Sequence, residues 1–265
     1  MEFGIKKINN MGPQSKYNVE KMLEKAHTKK ENIMELPTKK VKASRKSPKN
    51  MIIYGAPKIG KTTALSQLED CLIIDLEDGS DMVDALKIKV NSLAELQQAG
   101  GSIMKAGRPY KYIAVDTISK LEEWCEDEGK KMYQATPQGK NFDKNNEGLS
   151  VLSLPNGGGY LYLRRAYKKW IDKLNLLADH VILVGHLKDK MLEKKGKEVA
   201  VADLDLTGKI KQISCANADA IGYIYRENEE TMVSFNSLED TVAGSRCEHL
   251  KGQTMPMKWS NIFID

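Results

Sequence analysis

The stretch MIIYGAPKIGKTTALSQLED, residues 51–70, decides how the rest of the chain is read. It opens on a short apolar run, passes through Gly55-Ala56-Pro57-Lys58-Ile59-Gly60-Lys61-Thr62, and continues into a segment of helical character over 61–69. The middle fits G-x-x-x-x-G-K-[ST], a pattern that carries meaning only between a strand and a helix, as here. Gly55 and Gly60 leave the backbone free to wrap an anion with its N–H groups. The start of the helix adds the positive end of its dipole. Lys61 is placed to reach the β- and γ-phosphates of a nucleoside triphosphate, and the Thr62 hydroxyl to meet Mg2+. Residues 55–63, ending on Thr63, are therefore the expected phosphate cradle, with ATP and Mg2+ as its expected ligands.

Outward from this stretch, short apolar runs alternate with helical ones. CLIIDL (71–76), YIAVD (112–116), HVILVG (180–185) and DAIGYIY (219–225) have the character of buried strands, and 93–106 and 161–178 that of helices. Such alternation implies parallel strands joined by right-handed crossovers, hence an α/β fold with helices on both faces of the sheet. After Asp219 the apolar runs crowd together, with TMVSF at 231–235, which implies antiparallel strands at the C-terminal end. One domain over 50–265 is expected, long enough for a substantial core.

The composition suits a globular protein: 265 residues, 41% hydrophobic and 29% charged. No run approaches the roughly 18 apolar residues of a membrane span, and the first residues lack the apolar core of a secretory signal. Cys71, Cys125, Cys215 and Cys247 form no CxxC pair, so neither a zinc ribbon nor a disulfide framework is indicated. A cytoplasmic protein with reduced thiols and no membrane partner is expected. The net charge of +5 is unevenly spread. Residues 1–50 hold 13 of the 41 basic and 5 of the 36 acidic residues, which leaves 28 basic and 31 acidic in the remainder. The bulk of the chain is thus slightly acidic, which excludes a uniformly basic nucleic-acid binder. Residues 1–49 form a basic extension: a Lys-faced helix over 17–36 with Val19, Met22, Leu23 and Ala26 on one side, then a linker. Such a run is either a solvated tail or an arm that follows nucleic-acid phosphate.

Hydrolysis of a triphosphate needs carboxylates. Asp116 ends an apolar strand, where ligands gather in open α/β sheets, and is the expected second Mg2+ ligand beside Thr62. Many NTPases place Glu directly after this Asp; here the next residue is Thr117. Glu77, at the end of the intervening strand, is the candidate general base, with Asp75 and Asp78 as rivals.

Together these residues resemble the core ATPase of the RecA-like recombinases. GAPKIGKTT corresponds to the phosphate loop, LIIDLEDG to the strand with the catalytic Glu, YIAVDTISKL to the metal-binding strand, and HVILVGHLKD to the strand that ends in a γ-phosphate sensor. The bacterial recombinase has Gln there and this chain has His186, which can change charge near neutral pH where an amide cannot. The stretch LPNGGGY (154–160), with Arg164 after it, and the turn Ala243-Gly244-Ser245-Arg246 are similar to short phage-encoded members implicated in single-strand annealing and recombination. The resemblance covers about residues 50–251. It implies a P-loop NTPase with a RecA-like core that hydrolyses ATP, with Glu77, Lys61 and His186 as its catalytic groups. It also implies single-stranded DNA and further copies of the chain, in a ring or filament, as partners, with a phage single-strand-binding protein as another.

The family's pattern points two loops toward DNA. One lies within 132–160, a polar stretch with Lys140 and Lys144. The other follows His186 and carries Lys188, Lys190, Lys194, Lys195 and Lys197; it reads equally as a β-hairpin with solvated lysines at its turn. Arg226 and Arg246 are candidates for the cation that RecA-type ATPases place in a neighbour's site, against the plainer role of surface arginines. Trp124, Trp170 and Trp259 read as core or interface anchors. Two other functions stay open: an ATP-gated assembly or loader module with little turnover, and a small-molecule kinase. The lack of an Arg-rich lid insertion counts against the kinase.

Overall fold

The computed structural model describes residues 36–142, 148–194, 197–237 and 241–264, without the side chains of 189–194 and 197–201. The helix expected over 17–36 falls outside them except for Leu36, as do Lys144 and Lys195. The chain divides into two compact units, Met1–Ser44 and Arg45–Asp265. The second unit holds every element below.

In chain order these are β1 (Asn50–Gly55), α1 (Lys61–Ser66), β2 (Cys71–Asp75), β3 (Leu86–Lys89), α2 (Leu93–Lys105), β4 (Tyr112–Asp116), α3 (Ile118–Gln134), α4 (Gly158–Leu174), β5 (His180–Lys194), β6 (Lys197–Leu204), α5 (Gly208–Asn217), β7 (Ala220–Glu227), β8 (Glu230–Ser234), β9 (Gly244–Ser245), β10 (Thr254–Pro256) and α6 (Trp259–Ile262). The sheet runs β10-β8-β7-β1-β5-β4-β2-β3. From β7 to β3 neighbours are parallel, and β8 and β10 add on antiparallel. This is the α/β architecture that the alternating runs imply, including its antiparallel C-terminal end.

Alternation along β1 builds two cores at once. Ile52 and Tyr54 enter the layer closed by α2, α3, α4 and α5, and Met51 and Ile53 enter the layer closed by α1 and α6. All four are at most 1% exposed. At roughly 1.5–3 kcal/mol per buried large apolar side chain, this strand is among the most firmly held parts of the molecule.

Some elements differ from those read off the sequence. The helix after the phosphate loop ends at Ser66, three residues short of its expected end. The helix expected from 161 begins at Gly158 and stops at Leu174. The segment expected as one polar loop over 132–160 carries the end of α3 and the start of α4, with two short 3-10 turns between them. α3 itself is capped at Thr117, whose Oγ1 accepts from the Lys120 amide, and it packs against α4. The segment after His186 takes the hairpin form. β5 pairs with β1 and β4 only as far as His186, and Leu187–Lys194 continues past the sheet edge as a ribbon with β6. At about 3.3 Å per residue, this ribbon reaches roughly 25 Å beyond the sheet.

Close approach of α4 to the preceding turn depends on a missing side chain. A Cβ on Gly159 would lie 1.8 Å from the Val151 carbonyl oxygen, whereas one on Gly158 meets nothing nearer than Leu154 Cβ at 3.9 Å. Gly159→Ala is expected to cost about 2–3 kcal/mol, which lowers the thermal midpoint by roughly 5–10 °C in a domain of this size. Gly158→Ala, at a helical φ, is expected to leave it unchanged or raise it slightly. Thermal unfolding of the two variants side by side checks this.

Candidate functional site

The phosphate loop leaves β1 at Gly55, a position with no room for a side chain: a Cβ there would lie 2.3 Å from the Ile224 carbonyl oxygen on β7. The loop closes at Gly60, which caps α1 in the left-handed region (φ 102°) where glycine alone is unstrained. Lys61 is buried, and its Nζ donates to the carbonyls of Gly55 and Ala56, each at 2.9 Å. Burial pulls its pKa below the ordinary lysine value, against the opposing pull of Asp116 and Glu77. The ammonium therefore lies across the loop mouth, tied to carbonyls that a phosphate would replace.

Thr62 Oγ1 donates to Asp116 Oδ2 at 2.7 Å, which joins the start of α1 to the end of β4. Asp116 is buried, and burial above all raises its pKa. The Thr62 hydrogen bond and Lys61 work the other way, while Asp75 and Glu77 add to the rise. One hydroxyl and one carboxylate side by side make a hard-oxygen pair of the kind Mg2+ uses beside phosphate and water. The residues present fit that ion.

The three carboxylates after β2 have separate fates. Asp75 accepts from the amides of Glu77, Gly79 and Ser80 at 3.0, 3.3 and 2.8 Å. Burial works to raise its pKa, but hydrogen bonding from the Ser80 side chain and from these amides outweighs it and holds the carboxyl below its ordinary value. Asp75 is thus occupied in shaping the turn. Asp78 has a left-handed backbone (φ 57°) and pairs with Lys89 at 3.2 Å. Glu77 alone faces the loop region. Its carboxylate accepts from Thr117 Oγ1 at 2.6 Å and from His186 Nε2 at 2.9 Å. With a carboxylate as acceptor, Nε2 is the protonated ring nitrogen, and Nδ1 is buried without a partner. The sequence nominated Glu77 and His186 for separate roles; the fold puts them in contact. Thr117 had no such signal, because the residue after a metal Asp stands out only when it is acidic.

The other candidates lie apart. Arg226 lies near the end of β7, on the opposite side of β1 from β4. Arg246 donates to the Ala216 carbonyl at 2.5 Å and pairs with Asp219 at 3.6 Å, and Asp219 in turn accepts from the Lys49 amide at 2.9 Å. Lys188 begins the ribbon, 3.2 Å from Asp205. Lys190, Lys194 and Lys197 continue along it. Trp170 is buried in the core with Lys173 Nζ 4.3 Å from its ring centre. Trp259 Nε1 donates to the Ala64 carbonyl at 2.6 Å, which ties α6 to α1 beneath the loop. No helix among the described residues is long and apolar enough to cross a membrane.

A family model described as "AAA domain" matches residues 47–247, which span β1 through β9. No curated protein sequence matches the chain. Among solved structures, a crystal structure of the RadB recombinase is similar over 78% of this chain and 86% of its own, at 14% identity and a TM-score of 0.39.

The buried Asp116 has a testable pH signature. A folded-state pKa above the unfolded one means that stability is fully present below the ordinary carboxylate range and is lost as pH rises through the folded value. Asp116→Asn keeps an acceptor for Thr62 and removes the buried charge. In the absence of nucleotide and Mg2+, the variant is expected to unfold at a higher temperature than the parent at pH 8. The gap should close as pH falls toward about 4. Thermal unfolding across that range checks it.

Proposed function

The chain belongs to this AAA-domain family, and on that premise we propose that it is a Mg2+-dependent ATPase of the RecA-like kind, acting on single-stranded DNA in phage recombination or replication. One observation carries the proposal. The ends of β1, β2, β4 and the sheet part of β5 bring Lys61, Thr62, Asp116, Glu77 and His186 to one edge, in a set of hydrogen bonds that runs from loop to carboxylates. The loop amides of 55–63 and Lys61 hold the phosphates, and Thr62 and Asp116 hold the metal. When bound, Mg2+ neutralises charge on the β- and γ-oxygens.

Glu77 is the base that takes a proton from the attacking water, oriented by Thr117. His186 is the reporter: drawn to a γ-phosphate oxygen, its ring would leave Glu77 and free that carboxylate. His186 is also the last sheet residue before the ribbon that carries Lys188, Lys190, Lys194 and Lys197. A shift there would bias how these lysines meet DNA phosphates, which couples the two ligands through one strand. The extension over 1–49 adds sequence-independent attraction for nucleic-acid phosphate, and a phage single-strand-binding protein is a further partner. Copies of the chain assemble in a ring or filament, in which a neighbour's cation completes the site, and the work is done in the host cytoplasm.

ATPase rate with and without single-stranded DNA tests the reading. Lys61→Ala should abolish ATP binding. Glu77→Gln should bind ATP within a few-fold of the parent and lose roughly 100-fold or more of its turnover. His186→Ala should keep basal ATP binding and lose the DNA stimulation. Removal of residues 1–48 should leave ATP binding intact. Oligomers that form with nucleotide but show no DNA stimulation would favour the assembly module, and phosphoryl transfer to a metabolite would sink both.

A further inference from the structure

Between α2 and α4 lies a groove with a cavity of about 170 Å³, walled by Leu96, Gly100, Gly101, Met104, Trp170 and Leu177. It is far from the phosphate loop. Met104 and Leu177 come where the chain turns into β4 and β5, at the opposite end of those strands from Asp116 and His186. A water takes up roughly 30 Å³ of liquid volume, so the space suits one large apolar side chain. Met104, 49% exposed, and Leu176, 62% exposed, extend the apolar surface around the mouth.

The sequence keeps this groove open against local preference. Gly100 and Gly101 stand inside α2, where glycine is the least favourable residue after proline. Packing does not require either of them. A Cβ on Gly101 would meet nothing within 4 Å, and one on Gly100 only the Leu177 methyls at 3.6 and 3.7 Å. Two successive positions therefore give up helix stability for space. Trp170 adds an independent sign. It is 5% exposed, and its indole N–H is buried with no acceptor among the described residues. Such a donor is costly until something completes it. Lys173 lies over this indole, with Nζ 4.3 Å from the ring centre, and donates to Gln97 Oε1 across the groove. That bond ties α4 to α2 through a neutral amide, which a carboxylate would outcompete for the ammonium.

We propose that the groove is a docking site for an acidic peptide segment of a partner protein, which seats one apolar side chain over Gly100 and Gly101 and offers a backbone carbonyl to Trp170 Nε1. Charge selects this occupant. Lys105, one turn beyond Gly101 on the same face of α2, is exposed and has no ion pair among the described residues, and Lys173 bonds a neutral amide. The carboxylates nearby are taken: Asp172 by Lys168, Asp179 by Arg108, and Glu95 by the Asn91 amide. The rim is therefore positive around an apolar centre, the complement of a segment that sets an apolar residue among acidic ones. The groove lies at the other end of the sheet from the phosphate loop, so this assignment goes beyond the nucleotide reading and stands apart from it.

The test uses the full chain and labelled octapeptides in which one Leu, Met or Phe stands among aspartates, read by fluorescence anisotropy. At least one peptide should bind saturably, about tenfold or more tighter than versions with Ser at the anchor or with lysines in place of the aspartates. Gly101→Leu fills the groove without a clash. It should raise the thermal midpoint by about 2–4 °C and still weaken peptide binding by about tenfold or more. Lys105→Ala combined with Lys173→Ala should weaken binding by about tenfold and flatten its dependence on salt. In NMR spectra, the indole N–H signal that disappears in Trp170→Phe should move when peptide is added, while those of Trp124 and Trp259 stay in place. Equal affinity for acidic, basic and Ser-anchored peptides would overturn the proposal. So would full affinity in Gly101→Leu, an unmoved Trp170 signal, or no binding at millimolar peptide. A parent dimer that Gly101→Leu dissociates would overturn it too, because the occupant would then be a second copy of the chain.

Discussion

The site depends on the ladder that fixes β1 between β5 and β7. Both partners are parallel to it, and both pairings run to Gly55, against His186 on one side and Ile224 on the other. Three strands therefore meet where the phosphate loop begins, and the close packing of Gly55 on the Ile224 carbonyl fixes the point at which the loop leaves β1. With no unpaired edge and four buried apolar side chains, β1 is a rigid support of the kind that a precisely placed anion cradle needs. The carboxylates on one side of the loop and Arg226 on the other follow from which strands are its neighbours.

Glu77 shows how a site gains its chemistry from contacts far apart in sequence. Its carboxylate meets Thr117, 40 residues on, and His186, 109 residues on. Asp75 and Asp78 offer the same functional group within two residues, yet one is consumed by the turn amides and the other by Lys89. Position along the strand end separates them. A residue that holds turn amides is anchored, and one beside a lysine is neutralised, which leaves Glu77 as the carboxylate with its acceptor capacity turned to the loop. The same tie puts His186 in two relations at once, to the carboxylate and to the ribbon that continues its strand.

Much of the architecture was legible in the chain. The runs MIIYG, CLIIDL, YIAVD, HVILVG and DAIGYIY are rich in apolar residues because parallel strands between helical layers bury both faces. β3 escaped notice because LKIK is an edge strand with only two apolar residues, and its lysines are occupied by Asp78, Asp81 and nearby carbonyls. α3 was hidden by its charge. Its apolar seam of Ile118, Leu121 and Cys125 is narrow, although Thr117 before it is a recognisable cap. The ribbon past His186 was ambiguous because alternating lysines suit a solvated strand and a phosphate contact equally.

By itself the sequence determined the phosphate loop. Its geometry is local: eight consecutive residues between a strand and a helix, with glycine at Gly55 where a side chain cannot fit and at Gly60 where the backbone is left-handed. It also determined the α/β class, because periodicity is local too. Only the tertiary structure decided which carboxylate faces the loop, that His186 and Thr117 share it, that Trp259 braces α1 from the far end of the chain, and that Arg226 lies beside its own loop. Those relations depend on strand order. Strand order is set by how helices and strands pack across the whole sheet, and no short stretch of the chain encodes it.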